Sequence, residues 1–180
     1  MTSAILNDAK TRVAETVDRL ADELEQISHR IHANPELCFE EHKAAGWLAD
    51  FLAKQGAAVE RGVGGLPTAF RATIAGQGPG PTIAIMAEYD ALPNIGHACG
   101  HNVIATAGTG AGAAIAAALT TLPFPGRIQV IGTPAEEGGG GKVYMVQAGL
   151  FDDVDAVVAW HPSDANSADS ASTLATRLVV

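Results

Sequence analysis

Val13, Val17, Leu20, Leu24, Ile27 and Ile31 recur at alternating spacings of four and three, with acidic and basic residues between them. That period predicts an amphipathic helix of several turns. Asn34-Pro35-Glu36 ends it, because the residue before a proline is pushed out of the helical region. A second helix is expected from about Glu40 to Gln55, with Ala44, Trp47, Leu48, Phe51 and Leu52 on one face and Gly56 as its stop. The pattern then turns extended. Thr68 to Ile74 and Thr82 to Ala87 read as strands around the turn Gly76-Gln77-Gly78-Pro79-Gly80-Pro81.

Val103 to Leu119 reads as a small-residue helix whose Gly108, Gly110 and Gly112 let it lie close on a sheet, at a cost in helix propensity. Arg127 to Gly132 is a further strand, Gly141 to Gly149 a short helix and Asp155 to Trp160 a last strand. Strands alternating with helices predict an α/β fold with a largely parallel sheet covered by helices on both faces. Pro162 to Ala171 reads as a polar linker, and Leu174 to Val180 begins another extended run without a partner. The expected division is residues 1–165 as one domain, followed by 166–180 as linker and the start of another.

Composition narrows the picture. At 180 residues, 47% of them hydrophobic and 17% charged, the chain can bury a real core. Asp and Glu outnumber Lys and Arg by 20 to 11, a net charge of −9, which argues against a surface that tracks nucleic-acid phosphates. A lone disulfide between Cys38 and Cys99 is a poor reading in a chain so rich in core residues, so a reducing compartment is expected. Met1 to Ala33 holds no apolar signal-peptide core, and Val103 to Leu122, mostly Ala, Gly and Thr, is a weak candidate for a membrane span. A cytoplasmic protein with neither nucleic-acid nor membrane partners is the expectation.

Chemistry concentrates where strands end. Asp90 follows the strand Thr82 to Ala87, at the edge where open α/β sheets bind ligands, although a turn cap before Pro93 would use the same residue. In His97-Ala98-Cys99-Gly100-His101, thiolate and imidazole sit in a loop that opens a helix and can converge on one ion. Glu136 and Glu137 follow Arg127 to Gly132 and precede four glycines, a run that permits close approach. Two acids there would repel phosphate, and the lysine-serine ending of a phosphate loop is missing. His161 closes the last strand, where a histidine is as often structural as functional. His29, His32 and His42 lie on or near amphipathic helices and are read as structural or surface residues.

His32-Ala33-Asn34-Pro35-Glu36-Leu37 with Glu40, Tyr89-Asp90-Ala91-Leu92-Pro93, His97-Ala98-Cys99-Gly100-His101, Pro134-Ala135-Glu136-Glu137-Gly138 and His161-Pro162 agree in type, order and spacing with a known pattern. From about residue 20 onward the chain resembles the aminoacylase and dipeptidase superfamily of zinc metallopeptidases, peptidase family M20. Within it the chain looks like the amidohydrolase branch. The resemblance implies a zinc-peptidase-like catalytic domain with one or two divalent ions, zinc or manganese, that cleaves amide bonds in dipeptides or N-acyl amino acids. It implies Cys99, His101, Glu137 and His161 as metal ligands, Glu136 as general base and Asp90 as the carboxylate that steadies a ligand. Asn102 stands where most branch members carry aspartate, and Glu88-Tyr89 where many carry Asp-Met. Both variants look like the aminobenzoyl-glutamate hydrolase and Xaa-Arg dipeptidase subgroup.

Members of that family are about twice as long, with a lid or dimerisation domain inserted after the His161 region and a late histidine that completes the metal site. The chain therefore resembles an N-terminal fragment, expected to retain metal weakly, to turn over little alone and to form the family's homodimer only at full length. In the implied mechanism the ion activates water, lowering its pKa towards about 7, and Glu136 carries the proton to the leaving amine. Two rivals stand beside it. One is a non-catalytic remnant that binds metal or a subunit; the other is a thiol hydrolase with Cys99 as nucleophile and His101 or His97 as base.

Overall fold

The computed structural model describes residues 3–120 and 122–165. Helix α1 spans Ser3–Ala33 and buries Ala9, Thr16, Leu20, Ile27 and Ile31. Val17, on the expected apolar stripe, is 40% exposed, while Thr16 turns inward. At 3.6 residues per turn, position 16 lies nearer the line through Leu20 and Ile27 than position 17 does. Asn34 ends the helix, its side chain donating to the Arg30 carbonyl at 2.9 Å. Helix α2, His42–Lys54, buries Ala44, Leu48, Phe51 and Leu52. Its free N-terminal amides are met from outside the helix: the Glu36 carboxylate accepts from Lys43 N and Ala44 N at 2.9 and 3.0 Å.

Five strands follow: β1 (Ala58–Arg61), β2 (Phe70–Ala75), β3 (Thr82–Glu88), β4 (Arg127–Thr133) and β5 (Ala156–Val158). Helix α3, His101–Leu119, joins β3 to β4, and α4, Gly141–Gln147, joins β4 to β5. The spatial order is β1-β2-β4-β3-β5. β3 runs parallel to β4 and β5, whereas β2 is antiparallel to β4 and β1 antiparallel to β2. The sheet is therefore mixed, not largely parallel. Parallel neighbours need a long crossover, and only α3 and α4 supply one; residues 62–69 and 76–81 are too short and simply reverse the chain. β4 then inserts between β2 and β3.

Both faces are covered. Leu48, Leu52, Phe70, Ala72, Tyr89 and Val130 join α1, α2 and α3 to one face, and Met145 and Leu150 pack against Ala69, Ala84 and Ile131 on the other. α3 lies very close to the sheet. A side chain at Gly108 would come within 2.6 Å of the Met86 carbonyl, and one at Gly112 would overlap Val130. By length and composition α3 could cross a membrane, but 67% of it is buried in this fold. The domain boundary expected after residue 165, the later part of the linker and the run Leu174 to Val180 lie outside the described residues.

Candidate metal centre

The crossover strands end on one rim of the sheet and carry the acids and imidazoles there. Glu88 ends β3, Asp90 follows it, Glu136 and Glu137 follow β4, and His161 lies beyond β5. His101 is the first residue of α3, behind Gly100 at φ 86°. A Cβ on Gly100 would sit 2.8 Å from the Pro162 ring, so this glycine is what lets the His161-Pro162 segment approach Cys99.

His101 is fully buried. Its Nδ1 lies 2.9 Å from both the carbonyl and Oδ1 of Asp90. Both are acceptors, so Nδ1 carries the hydrogen and, in the neutral ring, Nε2 presents a lone pair. Nε2 has no hydrogen-bond partner. It faces Glu137 Oε1 at 3.6 Å, and Glu88 Oε2 and Glu136 Oε2 at 3.7 Å each. Glu137 Oε1 is likewise buried and unpartnered. Asp90 uses its other oxygen to accept from Glu137 N at 2.8 Å. One carboxylate thus orients both the ring and the acid loop.

On the open side, Cys99 Sγ lies 3.3 Å from His161 Nε2, whose Nδ1 donates to the Pro162 carbonyl at 2.8 Å. Donor atoms of Cys99, His101 and His161 fall within 4.8 Å of one another, as do those of His101, Glu136 and Glu137. The two groups share His101. His97 belongs to neither; its ring is turned towards His32, with centroids 6.3 Å apart.

The charges fit a cation. Burial works to raise the Asp90 carboxyl, yet the bonds from His101 and the Glu137 amide hold it below the usual range. Burial works to lower His101, but the Asp90 bond and the charges of Asp90, Glu88 and Glu137 outweigh it and raise the imidazole. Burial, the Glu137 carboxylate and the charges of Glu136 and Glu88 push the Cys99 thiol up to about 12. Burial and the Glu88 charge raise Glu136, against the pull of Lys142. A thiol held protonated at neutral pH is a weak nucleophile, which counts against the thiol-hydrolase reading. Loss of the thiol proton, and of any proton on Nε2, would leave a thiolate, an imidazole lone pair and carboxylate oxygens converging, a donor set that suits a divalent ion.

Residues 84–175 match the profile of peptidase family M20/M25/M40. The chain belongs to this family. It is 44% identical over 176 residues to the Xaa-Arg dipeptidase of Mus musculus, covering 92% of this chain and 41% of the relative. It is 41% identical over 153 residues to a subunit of the p-aminobenzoyl-glutamate hydrolase of Escherichia coli, covering 76% and 31%. Among solved structures it is similar to a dinuclear metal-binding M20 peptidase of Bacillus subtilis, with TM-score 0.70, 27% identity and coverage of 81% of this chain and 44% of that one. An aminobenzoyl-glutamate utilization protein from Klebsiella pneumoniae gives TM-score 0.70 at 28% identity, covering 84% and 46%. The M20 chain spans about two fifths of the length of the Xaa-Arg dipeptidase it matches.

Three residues of this M20 centre carry no assignment from sequence. Glu88 points at His101, and the signal was present: two positions before Asp90 on an extended segment places it on the same side. Lys142, in the first turn of α4, pairs with Glu88, and no spacing rule links positions 88 and 142. Glu41, not the neighbouring Glu40, is the buried acid of the segment between α1 and α2; Glu40 is exposed beside His42.

Proposed function

We propose that this chain supplies the metal-holding part of an amidohydrolase or dipeptidase centre, with residues 1–165 as the N-terminal part of the catalytic domain. Cys99, His101, Glu137 and His161 hold the metal, Glu136 is the general base, and Asp90 positions His101. The observation that carries the reading is the buried, unpartnered Nε2 of His101, aimed at three carboxylates while Nδ1 is tied to Asp90. Thiolate with imidazole favours zinc, and the acid-rich side accommodates manganese as well. His101 Nε2 offers one lone pair, so the two donor groups that share it fit one ion, or two only where the second is held without His101. A reduced Cys99 is required, which suits a cytoplasmic setting.

A divalent ion bound here would polarise an amide carbonyl and ease the ionisation of water. Glu136, about 41% exposed and raised in pKa, is placed to accept a proton from water and to return it to a leaving amine. His101 is kept in one tautomer by Asp90, and the buried wall around it excludes bulk water. The names of the relatives favour a dipeptide with a C-terminal arginine, or a related amide, as substrate.

The purified chain should bind zinc, and Cys99→Ser and His161→Ala should each weaken binding by about 10-fold or more. Glu136→Gln should keep the metal and abolish Xaa-Arg hydrolysis in the protein that carries this chain. A chain that binds no divalent ion at neutral pH would refute the reading.

A further inference from the structure

Glu41 is a fully buried carboxylate outside the donor groups. Its Oε1 accepts from Phe39 N and, across 94 positions of sequence, from Ala135 N, both at 2.9 Å. Phe39 and Ala135 have positive φ, 65° and 58°. Neither is glycine, so each conformation needs outside support. Ala135 directly precedes the acid pair, and its carbonyl accepts from Gly139 N and Gly141 N at 3.3 and 3.1 Å, closing the glycine turn. A Cβ on Gly139 would strike the Phe39 ring, so the segment that carries Glu41 also lies against that turn. Two residues on, Glu137 N is held by Asp90. The acid pair thus hangs between two carboxylates.

We infer that Glu41 is a positioning residue for the acid pair: by fixing the Ala135 amide it sets the turn that presents Glu136 and Glu137 to His101. This role rests on the metal-centre reading given above. Glu41 Oε2 and Thr68 Oγ1 are both buried with no other partner, and the Thr68 hydroxyl works to lower the carboxyl against its burial. Glutamine in place of Glu41 keeps the acceptor for both amides and offers Thr68 a donor. Methionine fills the space and is at most a weak acceptor.

The test compares wild type, Glu41→Gln and Glu41→Met in the whole chain. It reads melting temperature, amide exchange at Phe39 and Ala135, and Co2+ affinity from the thiolate-to-cobalt absorption band. In the wild type both amides should be protected. Glu41→Met should lose that protection at Ala135 and bind Co2+ about 10–100-fold more weakly, the usual effect of losing an outer support of a ligand. Glu41→Gln should stay within about threefold of wild type on both measures. A merely structural role would lower the melting temperature and leave the cobalt affinity of the folded protein unchanged. That outcome overturns the inference, as would equal losses in the two variants or an unprotected Ala135 amide in the wild type, a result obtained even if Glu41→Met fails to fold. A wild-type chain with no cobalt band overturns the metal-centre reading and the role of Glu41 with it. A wild-type band that Glu41→Met leaves untouched overturns the role of Glu41 alone.

Discussion

Nδ1 of His101 and Oδ1 of Asp90 meet at 2.9 Å with both side chains fully buried, so ring and carboxylate hold each other in a single orientation. The ring cannot turn without stranding the carboxylate, and the carboxylate cannot move without releasing Glu137 N.

Asp90→Asn tests that coupling. An amide oxygen can still accept from His101, but the NH2 group then faces the Glu137 N–H, donor against donor. Leaving a buried donor unsatisfied costs about 1–3 kcal/mol, measurable by urea denaturation. Zinc affinity should fall about 10–100-fold.

The Cys99 thiol, pushed up to about 12 by burial and neighbouring acids, should be almost wholly protonated at pH 8 without metal. Its alkylation by iodoacetamide should therefore be orders of magnitude slower than that of a free cysteine. Binding of zinc at pH 7 should release protons, seen as a buffer-dependent heat in calorimetry, and Cys99→Ser should reduce that release, leaving the share given up by the raised His101 imidazole.

Glu41 offers a pH test of stability. Burial raises its carboxyl above the ordinary value of about 4.3. A raised carboxyl disfavours the fold when ionised, so the penalty is complete above the folded pKa and fades as pH drops through it towards the unfolded value. Glu41→Gln carries no such penalty. Its stability relative to wild type should be greatest near pH 8 and decline towards pH 4.5, read from melting curves across that range.

Two glycines separate close packing from simple propensity. In α3, Gly112→Ala drives a methyl into Val130 and should destabilise by about 1–3 kcal/mol. In α2, Gly46 has no atom near its missing Cβ, so Gly46→Ala should stabilise by up to about 1 kcal/mol. Urea midpoints of the two variants should move in opposite directions.

The sequence periods locate α1, α2 and β2 because each buries one face, written as spacing, while α3, β3 and β4 stand out as small-residue or apolar runs because they are covered on nearly every side. β1 went unread: Ala58–Arg61 is short, charged and mostly exposed, so it leaves no apolar alternation. The mixed sheet was not legible either, since strand order depends on where β4 inserts, and local spacing holds no trace of that choice. Donor-type residues at strand ends stand out by type and place. The supports behind them do not, because Glu41 and Lys142 act through single contacts with residues 94 and 54 positions away. Those links exist only once the chain has closed on itself.

The close seat of α3 on the sheet, through Gly108 and Gly112, sinks its first residue below the rim. His161 stands open to solvent, Cys99 is half covered and His101 is sealed. On the proposed reading an arriving ion would meet His161 first and His101 last, exchanging bound water for protein donors along that gradient of exposure.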